Sequence, residues 1–195
     1  MAARRPELPG AVRGFRDRLN TLLHRTITPQ PLIMTGATPA ADGAQRMQFT
    51  FRQGGPVLAE LQSRVGVLGL YVGQVCEARP SDQDGPPIRT VNYRYALHVG
   101  TDINSEPVMR WEFDRRPADP QAQWSRRHLQ GPIPLSFGPT TVSLNDLHLP
   151  TGYVTLEDVI RFCVHDLGVP AIRSDWNDIL IQSYREFKDQ FVGGR

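Results

Sequence analysis

Apolar residues enter the chain at helical spacing. Val12, Phe15, Leu19, Leu22 and Leu23 form one stripe, with Arg13, Arg16, Asp17 and Arg18 on the remaining surface, which predicts an amphipathic helix. Pro9 suits the first turn, where its missing N–H costs nothing. Residues 1–9 read as a flexible start. Residues 26–45, rich in Thr, Pro, Ala and Gly, read as a connector that Leu32, Ile33 and Met34 pin to the core.

The period then shortens to two. Met47, Phe49 and Phe51 alternate with Arg46, Gln48, Thr50 and Arg52, as in a half-buried strand. Gln53-Gly54-Gly55-Pro56 signals a turn. Val57–Leu61 fits a returning strand, and a short helix through Leu58, Leu61 and Val65 fits it almost as well. Val65–Cys76 is nearly all apolar with Gly66, Gly69 and Gly73 interspersed, so a central or bulged strand is expected rather than a helix. Residues 79–89 read as an exposed loop.

Two further runs alternate. Val91, Tyr93, Tyr95, Leu97 and Val99 share one face of the first, and Asn92, Arg94, Ala96 and His98 the other. In the second, Met109, Trp111 and Phe113 oppose Arg110, Glu112 and Asp114. Paired as a hairpin in register, they place Arg94, His98, Arg110, Glu112 and Asp114 on one side of a sheet. Residues 115–154 read as an irregular loop region, with short strands over 133–137 and 141–144. Thr155-Leu156-Glu157-Asp158 is a helix start. The stripe Leu156, Val159, Ile160, Cys163, Val164 and Leu167 follows, closed by Gly168 and Pro170. A last helix starts at Asp175, with Trp176, Ile179, Leu180, Ser183, Phe187 and Phe191 inward. The expected fold is one α+β domain over residues 1–195. Its antiparallel sheet has four to five or more strands, and an N-terminal helix and two C-terminal helices pack on it.

The 195 residues are 39% apolar and 22% charged with a formal net charge of +2, a globular composition whose balance alone argues for no polyanionic partner. The distribution of charge is uneven. Residues 1–25 carry Arg4, Arg5, Arg13, Arg16, Arg18 and Arg25 against Glu7 and Asp17, and Arg110, Arg115, Arg116, Arg126 and Arg127 form a second group. Cys76 and Cys163 lie far apart in apolar runs and read as buried thiols. No leader or membrane span is recognisable, so cytoplasmic residence is the default expectation.

No Cys-x-x-Cys, His-x-His or His-Glu-x-x-His spacing is present, and no phosphate-binding glycine loop, so no metal or cofactor is expected. The candidate site is the polar sheet face with the basic loop after it. His98, His128 and Asp114 are the candidate proton-transfer groups. Arg94, Arg110, Arg126 and Arg127 are the candidate phosphate ligands, and Trp124 is a candidate stacking platform. Each also has an ordinary reading, as a cross-strand charge ladder that keeps one face soluble or as a solvated loop.

The runs Asn92–Val99, Val108–Asp114, Arg126-Arg127-His128 and Leu156–Asp166, in that order over about residues 91–167, resemble the TumE-type toxins of bacterial toxin–antitoxin pairs. Those proteins run as two strands of R-Y-x-Y and L-R-Y-D type, a basic His-containing loop and a closing helix. Here the loop carries His128 alone where the family commonly has paired histidines, and the chain is roughly twice as long. The resemblance implies a cytoplasmic bacterial effector that binds or cleaves RNA or another phosphate-bearing target, with metal-independent nuclease-like chemistry and an antitoxin protein as partner. The alternative is a non-enzymatic binding or adaptor protein that pairs with a protein through its sheet edge or first helix.

Overall fold

The computed structural model describes residues 10–39, 44–51, 58–78, 88–115 and 126–191. The flexible start expected at 1–9, the turn at 53–56 and most of the 79–89 loop lie outside them. Helix α1 spans Gly10–Thr26. Its stripe Val12, Phe15, Leu19, Leu22 and Leu23 is buried, and Phe15 packs on Phe49 with ring centroids 5.6 Å apart.

The strands are β1 (Leu32–Pro39), β2 (Gln45–Phe51), β3 (Ala59–Ser63), β4 (Gly66–Ala78), β5 (Ile88–Val99), β6 (Met109–Asp114), β7 (Arg127–Gln130), β8 (Pro134–Phe137), β9 (Thr140–Ser143) and β10 (Leu149–Pro150). An eight-stranded antiparallel sheet runs in the order β1-β2-β4-β5-β6-β7-β10, and β3 also pairs with β4. β8 and β9 form a separate hairpin. Helices α2 (Leu156–His165) and α3 (Trp176–Phe191) end the chain.

Two expectations are corrected. The connector at 26–45 contains strand β1, whose Leu32 and Met34 stand opposite Phe51 and Phe49 and bring it into the sheet. The region 115–154, read as irregular with short strands at 133–137 and 141–144, holds among its described residues four short strands, β7 and β10 beyond the two expected, and a 3-10 turn at Leu144–Asp146. Its many prolines shorten the strands without abolishing them, because Pro134 and Pro150 sit at strand ends. Of the ambiguous run at 57–61, residues 59–61 belong to strand β3.

All three helices cover one face of the sheet. Met47, Phe49, Leu70, Val72, Tyr93, Tyr95, Leu97, Trp111 and Phe113 point toward them and are buried with Leu156, Val159, Ile160, Cys163 and Leu180. Trp111 meets Phe162 edge-on at 5.6 Å. Polar groups inside this core satisfy one another. Gln74 Nε2 donates to Thr90 Oγ1 at 3.0 Å, Tyr95 OH donates to Gln74 Oε1 at 3.2 Å, and Ser183 Oγ donates to Glu157 at 2.6 Å. The cysteines are buried and unlinked. Among the described residues no helix is long and apolar enough to cross a membrane.

The central pairing of β4 with β5 contains one irregularity. Val75 pairs with Asn92 and Cys76 with Thr90, so Val91 is an extra residue. Such a bulge lets the alternation restart. Thr90 therefore faces the core and Arg89 the open face, where strict alternation from Tyr93 would have reversed them. Val99, expected on the core face, extends past the covered region and is exposed.

Helix α2 begins with a reciprocal cap. The Thr155 hydroxyl accepts from Asp158 N at 3.2 Å, and the Asp158 carboxylate accepts from Thr155 N at 2.8 Å. Thr155→Ala removes one of these bonds, with an expected loss of about 1 kcal/mol of stability, read as a lower urea midpoint at unchanged m-value.

Candidate functional site

The face of the sheet away from the helices carries Gln48 and Thr50 on β2, Tyr71, Gly73, Val75 and Glu77 on β4, and Asn92, Arg94 and His98 on β5. It continues with Arg110, Glu112 and Asp114 on β6, and His128 and Gln130 on β7. Registers Arg94↔Glu112 and Glu112↔His128 put three chemically active side chains in one row across three strands. Arg94 Nε lies 3.4 Å from Glu112 Oε1, and His128 Nε2 lies 3.3 Å from Glu112 Oε2. One carboxylate thus bridges a guanidinium and an imidazole. His128 is only 4% exposed, and the ring of His148 meets it edge-on at 4.7 Å.

The row borders a hollow of about 280 Å³ whose lining includes Gln48, Tyr71, Gly73, Val75, Asn92, Asp114 and the three row residues. A second hollow of about 260 Å³ is lined by Tyr71, Arg94, His98 and Ile103, so Tyr71 and Arg94 form the wall shared by both. Glycine makes this arrangement possible at two places in β4. A Cβ on Gly73 would lie 2.7 Å from the Tyr71 hydroxyl oxygen and 2.8 Å from its ring. The Tyr71 ring therefore lies along the sheet surface over Gly73. A Cβ on Gly69 would lie 2.5 Å from the carbonyl oxygen of Gly100, so the loop after β5 closes over the sheet there.

That closure decides the place of His98, which pairs with Gly69 and is 3% exposed. Its Nδ1 lies 3.3 Å from Ser105 Oγ, which donates to Asp102 O. Burial lowers the pKa of the imidazole, Ser105 acts in the opposite sense, and Arg94 adds to the depression.

Of the residues expected to act together, Arg94, Asp114 and His128 line the first hollow, and His98 lines the second from beneath the loop. Arg110 shares their face but extends toward Asn145 Oδ1 at 3.4 Å, and Asn145 in turn contacts Glu106. Arg127 pairs with Phe113, which places it on the helix side. Its guanidinium sits 5.2 Å from the Phe113 ring centroid and 5.5 Å from that of Tyr153. Arg126 is exposed just before β7, and its carbonyl accepts from Asp114 N at 3.1 Å. Trp124 lies outside the described residues. Alternation placed Glu112 on the candidate face but did not mark Tyr71 as a site group. The spacing Tyr71-x-Gly73 inside an apolar strand was the available signal, since glycine there makes room for a side chain lying flat.

Chemically, the row joins a cation that can hold an anionic oxygen to an imidazole held by a carboxylate, the pairing that orients a general acid or base. Among the described residues no three His, Cys, Asp or Glu side chains group as a metal centre would require. The chain matches no family model, no curated protein and no solved structure.

The depressed His98 pKa fixes a sign for the pH dependence of stability. Unfolded, the imidazole titrates near about 6.5. Below that pH the unfolded chain takes up the proton more readily than the folded one, so stability falls as pH drops through about 6.5 and is level above it. His148, whose pKa is lowered by burial and then by His128, contributes with the same sign. Urea midpoints at pH 5.5 and 7.5 are expected to differ in the wild type and to differ less in His98→Asn. An equal difference in both proteins would remove His98 as the source.

Proposed function

We propose that the open sheet face binds a phosphate-bearing target of the RNA class. In this reading the protein is the toxin-like effector of a bacterial toxin–antitoxin pair, acting in the cytoplasm. The observation that carries the reading is the Arg94–Glu112–His128 row beside the flat Tyr71 ring, on a face left open by the helices. Single-stranded RNA is recognised on such sheet faces by aromatic rings that take a base and arginines that take the phosphates.

Arg94 is already in contact with Glu112, but the contact is long and the Arg94 side chain is 47% exposed. An exposed pair of this kind contributes only about 0–1 kcal/mol, so a phosphate can replace the carboxylate at small cost. Arg94 then neutralises the phosphate, and Tyr71 takes the stacking role expected of Trp124. His128, oriented by Glu112, accepts the proton of a ribose 2′-hydroxyl as its oxygen bonds to the adjacent phosphorus, the P–O5′ bond breaks and the leaving 5′-oxygen takes a proton from water, a metal-independent nuclease-like step. Asp114 faces the same hollow and disfavours a second anion beside it, which restricts the phosphate to the Arg94 side.

A second reading, a non-enzymatic protein-binding role, has its own support. His98 is sealed beneath a loop, Arg110 reaches Asn145 and Arg127 stacks on core aromatics. Three of the expected acting residues are therefore engaged in structural contacts.

Expression in bacteria with and without the neighbouring gene product separates the two readings. The toxin-like reading expects growth arrest and RNA loss that the neighbour and His128→Ala each relieve. Intact RNA and normal growth at good expression would remove it. In vitro, Tyr71→Ala is expected to weaken binding of a labelled single-stranded RNA by roughly 5- to 100-fold, the usual effect of losing one base–aromatic stack, with urea stability showing that the variant is folded.

A further inference from the structure

Two hollows of nearly equal size, about 280 Å³ and about 260 Å³, share the wall made by Tyr71 and Arg94. Strand β5 lends Asn92 and Arg94 to the first and Arg94 and His98 to the second. At about 3.3 Å per residue, their centres lie about 10 Å apart along the strand. Each is smaller than the roughly 300–1,000 Å³ of a site for a whole drug-sized ligand. Each therefore has room for one ring system, with a cation on the wall between.

The outer wall of the second hollow is a turn built on Asp102. Its Oδ1 accepts from Asn104 N at 2.9 Å, and its carbonyl accepts from Ser105 N at 3.2 Å and Ser105 Oγ at 2.7 Å. Gly100 N donates to Val67 O and Val108 N to Leu97 O, both at 2.8 Å, so the two ends of the loop are tied to the sheet. Ile103 belongs to this turn, is 39% exposed and gives the hollow an apolar side. Among the described residues the lining of the second hollow contains no carboxylate, whereas Glu112 and Asp114 line the first.

The hydrogen bonds also fix which ring nitrogen of His98 carries the proton. Ser105 Oγ uses its one hydrogen on Asp102 O, so at 3.3 Å it accepts from His98 Nδ1. Burial favours the neutral ring. Nε2 is then the unprotonated nitrogen, an acceptor. Among the described residues it makes no hydrogen bond, yet it is not one of the enclosed, unpartnered polar atoms. It therefore opens onto the hollow that His98 lines, while the loop covers the rest of the ring. A hydrogen-bond acceptor in a small pocket with aromatic and aliphatic walls suits a nucleobase, whose faces pack and whose edge offers an N–H.

We infer that the second hollow is a base subsite for the nucleotide on the 3′ side of the phosphate held by Arg94. The base packs against Ile103 and Tyr71, and His98 Nε2 accepts from an N–H on its edge. This rests on the RNA reading of the first hollow and gives it a direction. His128 lines the first hollow, so the nucleoside whose 2′-hydroxyl it deprotonates sits there. The leaving 5′-oxygen then belongs to the nucleoside in the second hollow. The unit recognised is a dinucleotide step.

The test is calorimetric titration of the full chain with unlabelled dinucleotides whose 5′ ribose is 2′-deoxy, so that they are not cleaved. Deleting the 3′ base is expected to weaken binding to the wild type about tenfold, the effect of one hydrogen bond and a packed ring. Deleting the 5′ base is expected to weaken it roughly 5- to 100-fold, through the stack on Tyr71. His98→Asn keeps an N–H for Ser105 and removes Nε2. Ile103→Ser changes an exposed loop position and serves if the first variant is unfolded. In each, the intact probe is expected to bind as weakly as the 3′-abasic probe binds the wild type. The further loss on deleting the 3′ base is expected to vanish, and the loss on deleting the 5′ base to persist. A 3′ loss undiminished in both variants would overturn the subsite. A 5′ loss with no 3′ loss in the wild type also overturns it and leaves the reading of the first hollow standing. A 3′ loss that needs His98 and Ile103, with no 5′ loss, does the reverse. If the variants abolish the 5′ loss instead, the direction is wrong and the 3′ assignment falls. No binding of the intact dinucleotide removes both.

Discussion

The pairing of β4 with β5 is the constraint on which the rest of the structure depends. It is the longest ladder among the described residues, running from Leu68↔Val99 to Ala78↔Ile88. Because side chains alternate with period two, this one register sends Tyr93, Tyr95 and Leu97 into the helix-covered core and Arg94 and His98 to the other face. A slip of one residue would exchange the two sets. The stacked Tyr93 and Tyr95 rings, 4.7 Å apart, and the Gln74–Thr90–Tyr95 hydrogen bonds make such a slip costly, since each would leave a polar atom unpaired in the core. The bulge at Val91 then sets the far end of the sheet. It turns Arg89 toward Glu77 on the open face.

The open face is a compromise between solubility and binding. Glu112 sits between Arg94 and His128, and Glu77 between Arg46 and Arg89. The two carboxylates do different work because their burial differs. Glu77 is fully buried, so its contacts with two arginines are strong and costly to break. Glu112 is partly exposed, and its hold on Arg94 is weak enough to be exchanged for another anion. The first arrangement is structural. The second leaves an accessible cation at the hollow, with the largely buried His128 imidazole held in its wall. Glycine extends this division of labour along β4. At residue 69 it admits a covering loop over His98, and at residue 73 it admits a flat aromatic ring beside the hollow.

Much of the architecture was legible in the chain. The stripe of α1, the cap and stripe of α2 and the alternation of β2, β5 and β6 are local patterns, and burial follows them because a helix or strand can hide only one face. The shared face of Arg94, Arg110, Glu112 and Asp114 also followed from alternation and a hairpin. The runs at 133–137 and 141–144 were legible as short strands and form the β8–β9 hairpin, whereas β1, β7 and β10 were not, since their pairing partners lie in other segments and their composition is that of loops.

Within the site, sequence alone determined which side chains stand on the polar face, and tertiary structure decided which of them can act. His98 and Arg94 alternate identically along β5, yet a loop admitted by Gly69 on the neighbouring strand buries one and leaves the other open. Arg126 and Arg127 are adjacent in the chain and face opposite sides of the sheet. Tyr71 reads as core in an apolar run, and becomes a platform only because Gly73 leaves the space beneath its ring. In each case the deciding neighbour comes from another strand or loop, or from a clash a sequence pattern does not encode. Periodicity assigns a face, whereas accessibility and partnership depend on what the fold lays across that face.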